Sequence, residues 1–147
     1  MTTHRRTVPR SRWLAAAGAM VALIGCVLPW WTVGGDAGEL TVHSGNAFES
    51  YGILVFAAAI ATLALVTMPY ASTRPVSADR WLTYAIFTAI GWIGLLARIL
   101  DLTLTRYFSF SQPADVFTRN LGLWVAAIGL VMLSRAAFDM YREPARR

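Results

Sequence analysis

Two acid–base pairs stand out in a chain with few charges: Arg98 with Asp101, and Arg135 with Asp139. Spacings of three and four residues put each pair on one face of a helix. Such a pair could grip a polar ligand or a partner. It could also neutralise an arginine at the edge of an apolar layer. Arg98 and Asp101 end a long apolar run, where an ionisable residue is a functional candidate by default. The structural reading still leads, because Arg98 can snorkel outward while Asp101 neutralises it locally. For Arg135 and Asp139 that reading is stronger, since both stand nearly in water.

Other chemistry is thin. Asp36, Glu39 and His43 share a short polar stretch, but their spacing matches no metal-ligand pattern. Ser44 beside His43 lacks a third orienting group. His4 lies in an arginine-rich N-terminal segment. No H-E-x-x-H, G-x-S-x-G, P-loop or dinucleotide fingerprint occurs. Cys26, the only cysteine, sits inside an apolar run and reads as a small packing residue. The expectation is a non-enzyme with no cofactor and no metal.

The elements that hold these residues follow from charge placement. Of 147 residues, 56% are hydrophobic and 14% charged, where a soluble domain carries about a quarter charged residues. No charge falls between Arg12 and Asp36, Glu49 and Arg74, Arg80 and Arg98, or Arg119 and Arg135. Long uncharged apolar runs are the signature of spanning helices. Four spans are predicted, at about 13–33, 48–68, 80–102 and 116–138, in one domain covering 1–147. Asn46 with Glu49 resembles a capping box for the second span, Pro69 ends it, and Asp79 caps the third. Residues 103–110 read as either helix or extended chain. A signal peptide is the rival reading of the first span, but the run is long and ends in the bulky Pro29, Trp30 and Trp31. "WTV" at 31–33 and "LTV" at 40–42 flank a Gly/Asp-rich turn, which predicts a hairpin. The fold class is therefore an all-α membrane protein, a four-transmembrane-helix bundle with a short extracytoplasmic β-hairpin-like loop.

Every basic residue is arginine, and the net charge is +5. The arginines gather at the N-terminus, in the loop after span two and at the C-terminus, which places both termini in the cytoplasm. This placement explains the basic balance without nucleic acid. Trp30 and Trp31 fall at the outer headgroup level, and Trp13, Trp81, Tyr51, Tyr70 and Tyr141 fit aromatic belts. Trp92 lies mid-span, so its N–H is expected to face another helix. Gly18, Ala22 and Gly25, Gly91 and Gly94, and Gly122, Ala126 and Gly129 are small residues suited to helix packing.

Leu28-Pro29-Trp30, the Gly-rich stretch Gly34 to Gly45, and Leu121-Gly122-Leu123-Trp124 resemble the motifs of a class of small tetraspan membrane proteins common in actinobacteria. That resemblance implies four spans and no particular activity. The layout is also similar to claudin-type tetraspans, although the first outer loop is far shorter and its disulfide cysteines are absent. The expected role is an accessory or scaffolding subunit of a bacterial cytoplasmic membrane. Its partners would be the bilayer and other membrane proteins or further copies of itself. The alternative is binding or transport of a small apolar or lipid-like molecule. The candidate ligand or partner residues are Trp30, Trp31, Trp92, Arg98 and Asp101.

The orientation is open to cysteine labelling in a Cys26→Ala background. An impermeant thiol reagent added outside is expected to modify Asp36→Cys and to leave Ser77→Cys untouched; the opposite pattern would overturn the topology.

Overall fold

The computed structural model describes residues 9–33, 43–71, 81–105 and 120–143. Among these residues, four helices are each long and apolar enough to cross a membrane. They are α1 (Arg10–Val27), α2 (Ile53–Ala71), α3 (Trp81–Leu104) and α4 (Leu121–Arg142). A two-stranded antiparallel sheet joins β1 (Trp31–Val33) to β2 (His43–Gly45), with Trp31 opposite Gly45 and Val33 opposite His43. A single 3-10 turn, Ala47–Glu49, leads toward α2. Each helix packs on its neighbours in sequence, and α4 returns to α1, closing a ring of four.

Small residues line much of the helix contacts, beside buried Leu95, Leu102, Leu130 and Leu133, and many large apolar side chains face outward. Ala15, Ala19, Ala22, Ala59 and Ala126 are fully buried, while Ile24, Ile60, Ile93, Leu100 and Ile128 face outward. In lipid, large apolar side chains gain little by turning inward, so close packing drives association. The seam between α1 and α4 carries this furthest. A Cβ on Gly25 would lie 2.7 Å from the Cα of Ala126, and one on Gly129 would lie 2.7 Å from the Cα of Ala22. The two motifs share one spacing, Gly18-x3-Ala22-x2-Gly25 and Gly122-x3-Ala126-x2-Gly129, run antiparallel. Two buried hydroxyls are satisfied within their own helices: Thr62 donates to the carbonyl of Ala58 and Thr88 to that of Tyr84, each at 2.8 Å.

Several predicted boundaries move. The first span was expected to run to Val33, but α1 stops at Val27 because Pro29 has no N–H to continue it, and Trp31–Val33 pair as a strand. Described strand β2 is His43–Gly45; the expected "LTV" strand at 40–42 lies outside the described residues. Asn46 does cap, its side chain accepting from the N–H of Phe48, but it caps the 3-10 turn. Helix α2 begins five residues later than the expected Phe48, after Gly52. Pro69 lies inside the last turn of α2, where losing one N–H still allows two more residues, rather than ending the helix at Met68. Helix α3 includes Thr103 and Leu104, and Thr105 forms a turn. Asp79 and residues 106–119 lie outside the described residues. Helix α4 starts at Leu121 rather than 116 and extends past Phe138 to Arg142.

The seam predicts sharp intolerance on one face of α4 only. Gly129→Leu should lower stability by about 3 kcal/mol through overpacking. The neighbouring Ile128→Ala, on the outer face, should change it by less than about 0.5 kcal/mol. Unfolding in detergent, followed by helicity, measures both.

Candidate functional site

At the hairpin end of the bundle, the helix termini satisfy each other. With no N–H on Pro29, the carbonyl of Gly25 loses its usual intrahelical donor. The indole of Trp30 folds back and donates to that carbonyl at 2.8 Å. Its backbone N–H donates to the carbonyl of Gly45 at 2.7 Å, which fixes the hairpin. The carbonyl of Pro29 then accepts from the N–H of Gly122 at 2.9 Å, meeting one unpaired donor of the first turn of α4. Trp30 is fully buried. It is thus a core residue of this end.

Beside it stands a polar knot. Arg98, 6% exposed, comes from the last third of α3. Its Nη1 donates to Asp101 Oδ2, and its Nη2 lies 3.5 Å from Glu49 Oε2. The indole N–H of Trp31 donates to the same Glu49 oxygen at 2.9 Å, and Ser50 Oγ donates to Asp101 at 3.4 Å. A Cβ on Gly45 would overlap that Glu49 oxygen, so the bare backbone there makes the room. The knot thus ties β1, the 3-10 turn and α3 together. Arg98 was expected to snorkel toward solvent; it is instead buried, because a second carboxylate from another element reaches it. Glu49 was expected to help cap α2 and serves Arg98 and Trp31 instead. Two carboxylates face one arginine, and both are partly exposed, at 45% for the side chain of Glu49 and 34% for that of Asp101.

Sequence reasoning missed Glu49 and Ser50 as members of this cluster. A charge at the end of a short loop before span two, set against a charge at the end of span three, was the available signal. Of the named candidates, Trp31, Arg98 and Asp101 come together, Trp30 packs beneath them, and Trp92 lies elsewhere. Its indole N–H donates to Ser134 Oγ of α4 at 3.0 Å, so it does face another helix. There it borders a groove of about 540 Å³ between α3 and α4, whose lining includes neither Arg98 nor Asp101.

At the opposite end, Ser11 Oγ donates to Glu143 Oε1 at 2.7 Å, closing the far end of the α1–α4 seam. Arg135 and Asp139 form an exposed ion pair at 3.1 Å, a geometry that contributes little to stability. The rings of Trp81 and Tyr141 meet edge to face at 4.9 Å.

Arranged this way, the knot braces structure and leaves carboxylate oxygens toward its rim. Trp30→Phe keeps the bulk but orphans the carbonyl of Gly25, and should cost roughly 2 kcal/mol. Trp13→Phe, at an exposed position, should cost less than about 0.5 kcal/mol. Arg98→Met should exceed Glu49→Gln in cost, because it strips the counter-ion from two carboxylates. Denaturation of each variant in detergent ranks them.

Compared with family models, curated proteins and solved structures, the chain matches none.

Proposed function

We propose that this chain is a non-catalytic, multi-pass protein of a bacterial cytoplasmic membrane, an accessory or scaffolding subunit that packs against other membrane proteins. Both termini and the segment between α2 and α3 face the cytoplasm, and the hairpin faces outward. The arginine distribution supports that orientation.

One observation carries the reading: among the described residues the buried side-chain polar atoms of the spanning segments find partners inside the fold, with Arg98 Nε the exception, and α1 and α4 close on each other by backbone approach. Thr62 and Thr88 bond to their own helices, Trp92 to Ser134, and Arg98 to two carboxylates. A transport path needs polar or ionisable groups along a cavity, and the Gly/Ala seam between α1 and α4 leaves no such space. What the fold presents outward is a ring of large apolar side chains and, at one end, a strand pair beside an acidic rim. These are surfaces for contact with other proteins in the bilayer plane and above it.

Affinity capture of the tagged, full chain from membranes in mild detergent tests the reading. A specific membrane protein is expected to co-purify in fixed proportion. Weakening of that capture by Glu49→Gln, without loss of the folded chain, would place the contact at the hairpin end. Recovery of the chain alone, as a monomer or a homo-oligomer, would count against an accessory role.

A further inference from the structure

The groove between α3 and α4 plays no part in the scaffold reading. It holds about 540 Å³, within the range of small-molecule sites. It is open to the outside of the ring of helices and is lined by Trp81, Trp92, Phe138 and Tyr141 together with Ala85 and Ala137. Its inner polar groups are already engaged: Thr88 bonds to Tyr84, Trp92 to Ser134, and Ser134 to Leu130, which leaves the hydroxyl of the exposed Tyr141. The walls therefore suit a hydrocarbon chain better than a polar solute.

Length and charge narrow the occupant. Trp81 and Trp92 are eleven residues apart on α3, about 16 Å of helix. That is close to half of a hydrocarbon core about 30 Å thick, so the groove runs from one interface to the mid-plane. At the interfacial mouth stands Arg142, exposed, its guanidinium 4.3 Å above the ring of Phe138. Among the described residues no carboxylate pairs with Arg142, whereas Arg98 and Arg135 both have acidic partners. The ring of Phe138, which lines the groove, thus holds a guanidinium beside its interfacial end, where a lipid phosphate would lie.

We propose that this groove binds one acyl chain of an anionic phospholipid, with Arg142 against the headgroup. The site requires only that the helices cross a membrane; it depends neither on a protein partner nor on which end faces the cytoplasm.

The full chain, purified in mild detergent, is offered equal phosphatidylglycerol and phosphatidylcholine, and retained lipid is counted by native mass spectrometry. The native chain is expected to keep one phosphatidylglycerol, favoured several-fold over phosphatidylcholine. Ala89→Phe, at an exposed position on the groove wall, should abolish retention. Thr88→Leu, a smaller plug, should reduce it and serves if the first variant does not fold. Arg142→Gln should keep a lipid but bring the preference close to one. Ala17→Phe adds the same bulk to an exposed position on α1 and should change nothing. Equal retention of both lipids by the native chain would overturn the proposal. So would full retention in folded plug variants, an intact preference in Arg142→Gln, or loss of lipid in Ala17→Phe.

Discussion

The approach of the α1 and α4 backbones is the constraint on which the rest of the structure depends. Glycine and alanine alternate along both faces in the same spacing, so each helix fills the notches of the other. In a bilayer this contact is favoured by dispersion and shape, since exposing leucine to lipid costs almost nothing. It also sets the ends. With the helices this close, the carbonyl of Pro29 reaches the first turn of α4, and Ser11 reaches Glu143. Gly122 belongs to the same argument: a Cβ there would lie 2.5 Å from the carbonyl oxygen of Leu28.

From that seam the hairpin end follows. Pro29 stops α1 where the seam stops, and Trp30 replaces the lost helical donor with its own indole. That indole lies under the hairpin, and the hairpin brings Trp31 to Glu49. Glu49 in turn gives Arg98 a second carboxylate, 3.5 Å from Nη2, while Nε stays without a partner among the described residues. A buried arginine is thereby held by a chain of local necessities that begins with a proline. The other side of the ring is looser. Between α3 and α4 the facing residues include aromatic rings rather than matched glycines, and a groove remains there.

The spans were legible because each holds a long run free of charge, with its ionisable residues gathered toward an end. Four helices could be counted, and the mid-span Trp92 could be assigned an interhelical hydrogen bond, from the need of one indole N–H in an apolar layer. The loss of a donor to the Gly25 carbonyl was also legible from Pro29 alone. What replaced that donor was not, because Trp30 and Trp31 are adjacent and of one type, and only the turn of the chain decides which ring goes inward. The Arg98 cluster was half visible. Asp101 lies three residues away on the same helix, whereas Glu49 comes from an element distant in sequence, and side-chain pairing across elements leaves no periodic trace. Helix ends shifted for similar reasons: a strand claimed Trp31–Val33, and a 3-10 turn claimed Ala47–Glu49.

The seam itself can be probed directly by a disulfide. A Cβ on Gly18 would lie 2.9 Å from the Cβ of Met132, closer than the about 3.5–4.5 Å that a disulfide spans, so a slight parting of the two helices brings the pair into range. In a Cys26→Ala background, Gly18→Cys with Met132→Cys should cross-link almost completely under mild oxidation, and Gly18→Cys with Ile128→Cys should not. Failure of the first pair to cross-link in folded protein, or equal cross-linking of both, would contradict the close α1–α4 packing and with it the account of the hairpin end.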